Sequence, residues 1–319
     1  MLHGSFANGR YTSTVLFVLS MLVLSAAYWL PASTDALWQP QHPHFMSGAV
    51  SHMLSVLMYV LAALLLSRQT FFDRAVKWKG ALYLWFVALS TFANGNATVA
   101  FAALLFLLSF VVLLFAQYGT DTVAPLFTSF MLLGVLSFVV PHSLYFLPLY
   151  LLFCYMANLL SVRGVAASLL GLLTPFWLVM GTAYVLPGVN VITESFLAAL
   201  PAIFDVEFPT FSIPNLLLLI FELLVLLPAL FLFVGGTSPA KPLLRRRLSF
   251  VIVACVYLML LCLLIGGGAP LFYACLLPFV AILASYVLAR KETKLLNIYF
   301  VILNVLMIAI AISPLWLNS

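Results

Sequence analysis

Charge is scarce in this sequence. Its 319 residues include thirteen Lys and Arg and eight Asp and Glu, 7% in all, against 66% hydrophobic residues. Soluble domains carry about 25% charged residues, so no water-soluble fold fits. Motifs of common soluble chemistry are missing as well: HExxH, GxSxG and GxxxxGK[ST] do not occur. Gly266-Gly267-Gly268 lies between apolar runs, without the strand–helix setting of a phosphate cradle, and reads as a turn. The four cysteines, Cys154, Cys255, Cys262 and Cys275, form no CxxC pair and all fall in apolar runs. They read as small buried apolar residues rather than disulfide or metal thiolates. No polar linker, low-complexity segment or internal repeat divides the chain, so residues 1–319 read as a single transmembrane domain. The missing repeat weakens an inverted-repeat transporter reading.

Long apolar runs are abundant. They lie at 12–30, 47–66, 79–94, 97–115, 124–140, 143–161, 165–186, 214–234, 248–265, 270–289 and 295–313. This predicts an all-α polytopic membrane protein of about eleven transmembrane helices, because open strands cannot satisfy their N–H and C=O groups in lipid. The third run is short, and it could form one hairpin with the fourth. The first is too long for the ~7–15-residue apolar region of a signal peptide and is expected to be a retained helix. Pro31, Pro125, Pro141, Pro187, Pro214 and Pro270 fall at run ends, whereas Pro148, Pro175, Pro228 and Pro278 fall inside runs, where kinks are expected.

The few charges set the orientation. With the N-terminus in the cytoplasm, Arg10, the loop RQTFFDRAVKWKG, Arg163, the loop GGTSPAKPLLRRR and the loop RKETK all lie inside, as the positive-inside bias requires. Asp35, Glu194, Asp205 and Glu207 then lie outside, and the C-terminus SPLWLNS is periplasmic, with Trp316 at the interface. The net charge of +5 therefore reports membrane topology, not a nucleic-acid partner. Two outer loops are sizeable, 31–46 and 187–213, and ITESFLAALPAIF in the second could lie in the membrane interface.

Candidate sites follow from polar residues in costly places. Glu222 stands in PNLLLLIFELLVLLPAL, with Asn215 and Ala229 seven residues to either side. That stripe should face protein rather than lipid. Glu222 reads either as a proton relay or substrate-facing carboxylate, or as a neutral acid sharing a hydrogen bond with Asn158, Asn304, His52 or a tyrosine hydroxyl. A single acid without a partner makes poor relay chemistry, so it is expected to mark an inward-facing stripe and to carry a proton. His52, with Ser55 and Tyr59 on one helix face, reads as a polar stripe between helices. Asp35, His42 and His44 share the first outer loop. A carboxylate plus HxH could ligate a divalent metal, although the histidines flank Pro43 and match no closed site. Asp205 and Glu207, in FDVEFP, could act as base and metal holder if extended, or form a solvated acidic turn. Arg245-Arg246-Arg247 and Arg74, Lys77 and Lys79 could grip a phosphorylated ligand, but topology and anionic lipid already account for them.

The stretch PLFTSFMLLGVLSFVVPHSLYFLPLYLLFCYMANLLSVRGVAASLLGLLTPFWLVMGTAYVLPG, with APLFYACLLPFVAILASYVLARKETK, resembles a domain-of-unknown-function family of Bacteroidetes polytopic inner-membrane proteins. Gly134, Leu136, Pro141, Pro148 and Arg163 more distantly resemble a helix pair of the GT-C glycosyltransferase scaffold. That resemblance implies a GT-C-like helix arrangement in the bacterial inner membrane. It makes Asp35 the catalytic-base candidate for sugar transfer from a polyprenyl-phosphate donor, with 187–213 in the place of the large outer loop between helices seven and eight. No Lys or Arg lies in either outer loop to hold a donor phosphate. A buried anion needs a counter-charge, which a metal held by Asp35, Asp205 or Glu207 could supply. Two other readings stay open: a non-catalytic membrane subunit binding lipid or a partner protein, and a transporter using Glu222.

Overall fold

The computed structural model describes residues 18–20, 22, 48–68, 79–90, 96–116, 122–185, 190–204, 208, 213–234 and 242–288, together with seven residues between 298 and 309. Among the described residues all regular structure is helical. The helices are α1 (Gly48–Arg68), α2 (Lys79–Leu89), α3 (Ala97–Phe115), α4 (Val123–Val139), α5 (Leu147–Met156), α6 (Val162–Val185), α7 (Asn190–Phe204), α8 (Ile213–Val234), α9 (Pro242–Leu264) and α10 (Ala269–Leu288). Two 3-10 turns, Pro141–Phe146 and Gly266–Gly268, precede α5 and α10.

Local chemistry explains where these helices start and stop. Asn96 caps α3, its Oδ1 accepting the N–H groups of Thr98 at 3.0 Å and Val99 at 3.3 Å. α4 ends where Val140 turns extended (φ −140°, ψ 104°) before Pro141, since a residue preceding proline is pushed out of the helical region. The 143–161 run departs most from expectation. It is a 3-10 turn followed by a helix that stops at Met156. Asn158 takes a left-handed conformation, φ 56°, while Leu159 N–H bonds Cys154 O at 2.9 Å and Asn158 N–H bonds Tyr155 O at 3.1 Å. This is a Schellman ending with asparagine in the position usually held by glycine. Ser161 then caps α6 by accepting the Gly164 N–H at 3.0 Å. Pro148, expected to kink a helix, sits instead in the first turn of α5, where its missing N–H costs nothing.

Five segments are long and apolar enough to cross a membrane: Val50–Ser67, Ala97–Phe115, Val162–Val185, Arg245–Leu264 and Gly266–Val287. Val123–Val139 and Leu216–Phe231 are shorter apolar helices. The Gly266–Val287 span is 89% buried and Val162–Val185 only 28%. So apolar a helix with that much exposed surface needs lipid around it, so this is a membrane protein whose described spans are helical.

The Cα positions group into two compact units, the described parts of 1–100, 210–255 and 276–319, and those of 101–209 and 256–275. In the first unit α1 packs on α2, with Tyr59 and Tyr83 edge to face at 6.4 Å, and Phe86 of α2 meets Phe221 of α8 at 5.8 Å. In the second, α4 packs closely on α6. A Cβ on Gly134 would stand 2.6 Å from Leu172 O, and one on Gly171 would collide with the backbone of Phe127, so both glycines permit the close approach. A buried network joins α3, α4 and α5. Ser109 donates to Ser129 O at 2.7 Å, Ser129 donates to Ser109 O at 3.0 Å, and Tyr150 donates to Ser109 Oγ at 2.9 Å. Each hydroxyl is satisfied internally, as polar groups in an apolar solvent must be.

Candidate functional site

Within the second unit, chemistry gathers at the Pro141–Phe146 turn. This turn packs against α4, α5, α7 and the glycine turn. The His142 ring lies on Gly267, where a Cβ would come within 2.9 Å of Nε2, and a Cβ on Gly268 would strike the ring of Phe272. The triplet therefore makes room for an imidazole and a phenyl ring, and a side chain at either position would displace one of them. Burial pushes the His142 imidazole below the usual histidine range, because desolvation penalises its charged form. Next to it, Ser143 Oγ is buried, with no hydrogen-bond partner among the described residues.

Two phenols lock the turn in place. Tyr145 donates to the Ile203 carbonyl in the last turn of α7 at 2.5 Å. Tyr257 of α9 donates to the Tyr145 carbonyl at 2.7 Å. Tyr145 also stands edge-on to Phe272 at 6.1 Å. Two turns earlier α7 is held by a triangle of rings, with Phe196 at 4.8 Å from Phe138 and 5.4 Å from Phe176. Both phenol hydroxyls thus donate to backbone carbonyls, which ties the turn to α7 and to Tyr257.

In the first unit the intramembrane polar residues are buried. Glu222 is 2% exposed and Ala229 is fully buried, whereas Leu223, Leu224 and Leu227 on the opposite face are exposed. Glu222 lies within electrostatic reach of the Cys255 thiol. His52, Ser55 and Tyr59 form one buried face of α1, and Ser55 donates back to His52 O at 2.7 Å. Both Glu222 and His52 interact with neighbours. All four cysteines are free and buried.

The first outer loop, with Asp35, His42 and His44, lies outside the described residues, as do Asp205, Glu207 and the side chain of Asn215. No group of three His, Cys, Asp or Glu side chains suited to a metal ion occurs among the described residues. His142, Ser143, Tyr145 and Tyr257 were not singled out in the sequence. The one signal for them is a Pro-His-Ser break between two apolar runs, because their partners lie far along the chain. Tyr257 and Tyr145, for example, are 112 residues apart.

Among the described residues the fold class is that of an all-helical membrane protein. Compared with protein-family models, curated proteins and solved structures, the chain matches none.

Proposed function

We propose that the chain is a multi-pass inner-membrane protein of about eleven spans, with a cytoplasmic N-terminus and a periplasmic C-terminus. On this reading it has a GT-C-like helix arrangement and acts on polyprenyl-linked sugars or glycolipids of the cell envelope, with Asp35 as base. The supporting observation is the bond from Tyr145 to Ile203. It holds the helix of the 187–213 segment against the turn that follows α4. In sequence, the acids Asp205 and Glu207 come directly after that helix. A docked helix leading into paired acids suits a protein that receives a lipid-linked substrate at the outer leaflet. Asp205, Glu207, His42 and His44 would line the substrate or hold a divalent metal against its phosphate.

The test is sugar transfer from a polyprenyl-phosphate donor in proteoliposomes. Asp35→Asn is expected to lower the rate by at least about 10²-fold, the scale of a lost general base. Full transfer by this variant would remove Asp35 from the reaction.

The absence of any Lys or Arg from 31–46 and 187–213 favours a second reading, a non-catalytic subunit that binds lipid or a partner membrane protein. It predicts that a partner co-purifies and that neutralising the acids of both loops leaves the cellular phenotype unchanged.

A further inference from the structure

The Pro141–Phe146 turn has two sides. In a 3-10 helix, residues three apart stand one above the other, which pairs His142 with Tyr145 and Ser143 with Phe146. Burial follows that pairing: Ser143 and Phe146 are buried, whereas His142 and Tyr145 are half-buried. The half-buried side makes the contacts to the glycine turn and to α7. His142 lays its ring on Gly267, with its own Cβ against Gly268, and Tyr145 donates to the Ile203 carbonyl in the last turn of α7. Val140, extended just before the turn, separates it from α4. One short piece of backbone therefore carries both the seat of the imidazole and the tie to α7.

Little around this seat suits a charged ring. The glycine turn has no side chains, and neither α4 nor α3, which meets the turn through Phe106 and Phe146, carries a titratable group. Tyr145 itself, Tyr150, Cys154 and Tyr155 of α5, Tyr257 and Cys262 of α9, and Tyr273 and Cys275 of α10 are phenols and thiols, neutral near pH ~7. Among the described residues of these elements in this unit, the one acid is Glu194. It is exposed and lies roughly 13 Å along α7 from Ile203, at 1.5 Å per residue. A neutral imidazole fits the seat, and burial opposes an imidazolium there. We propose that His142 is a proton-operated latch on α7: the neutral ring seats the turn on Gly267 while Tyr145 holds α7, and protonation lifts the ring, carries Tyr145 with it and frees the last turn of α7. In the topology proposed above, the Pro141–Phe146 turn, the glycine turn and α7 all fall between spans on the outer face, so the latch answers to the pH outside. By linkage, the freed state takes up its proton near pH ~6.5 and the seated state only at lower pH, so release begins as the pH falls below that value. One proton changes the ratio of freed to seated forms by at most about tenfold per pH unit. Such a latch requires neither sugar transfer nor Asp35, and so goes beyond the function proposed above.

The full chain in nanodiscs, with nitroxide labels on Ala198→Cys of α7 and Leu170→Cys of α6, tests it by pulsed electron resonance. Both positions are exposed, and the native cysteines are buried. One narrow distance is expected at about pH 7.5, with a second, broader component growing towards about pH 5.5, no more steeply than the one-proton limit. His142→Gln should keep the narrow distance at both pH values. Tyr145→Phe should raise the freed component about fivefold at neutral pH, the equivalent of one hydrogen bond, and lose the response to acid. Gly267→Ala, whose methyl would stand 2.9 Å from Nε2, should free α7 without acid; if it does not fold, His142→Gln and Tyr145→Phe decide the matter. A distance that ignores pH in the unsubstituted chain, or a full acid response in either His142→Gln or Tyr145→Phe, would overturn the latch.

Discussion

His142 occupies a position where one proton changes the packing. Its ring rests on Gly267, and burial holds it below the usual histidine pKa. The unfolded chain therefore takes up a proton near pH ~6.5, where the folded chain resists it. Stability is unaffected above that pH and falls as acidification proceeds from the unfolded pKa down through the folded one. Thermal unfolding in detergent should show a midpoint that drops between about pH 7.5 and about pH 5.5, with a smaller drop in His142→Gln. Gly267→Ala should unseat the ring and bring the histidine towards ordinary titration. Tyr145→Phe removes the part-buried bond to Ile203, and a lost intramolecular hydrogen bond costs about 1 kcal/mol. Faster hydrogen exchange or proteolysis at the C-terminal turn of α7 would register it. Glu222 is a different case. A neutral buried acid is mimicked by an amide, so Glu222→Gln should keep the thermal midpoint, whereas pH-dependent transport that is lost in Glu222→Gln would establish the transporter reading.

Between helices, stability rests on small residues and shared hydroxyls. α4 and α6 approach closely through Gly134 and Gly171. Gly134→Leu or Gly171→Leu drives a side chain into the facing backbone, and overpacking of this kind costs about 1–3 kcal/mol. Loss of monodisperse protein on size exclusion would reveal it. Tyr150→Phe removes one bond from the Ser109–Ser129 network, and intramembrane hydrogen bonds average about 0.6 kcal/mol, so its effect should be the smaller. The packing of Gly134 against the Leu172 carbonyl supplies a structural reason for glycine there. Asn158 and Ser161 explain why the 143–161 run, expected as one span, breaks early: an asparagine that tolerates left-handed backbone is followed by a serine cap.

For the entire chain, the decisive property is which charges lie on which side of the bilayer. The four native cysteines are buried, so an introduced thiol can be read above a quiet background. Ser33→Cys should react with an impermeant maleimide in intact cells, and Arg246→Cys only after permeabilisation. The opposite pattern would invert the topology and remove the outer-leaflet site that Asp35 requires.

Helix positions were readable to within a few residues along most of the described chain because the forces that set them are local. Run length against bilayer thickness, the loss of an N–H at proline and the period of 3.6 residues all act over a single turn or a single span. The same period put Glu222 and Ala229 on a buried stripe. What distant segments build together was not readable. The Pro141–Phe146 turn on the glycine triplet, the Tyr145 tie to α7 and the serine–tyrosine network each join residues from separate helices. In so apolar a chain nearly every residue is an equally good neighbour by hydrophobicity, so pairing is decided by shape and by the few hydroxyls that must find an acceptor away from water.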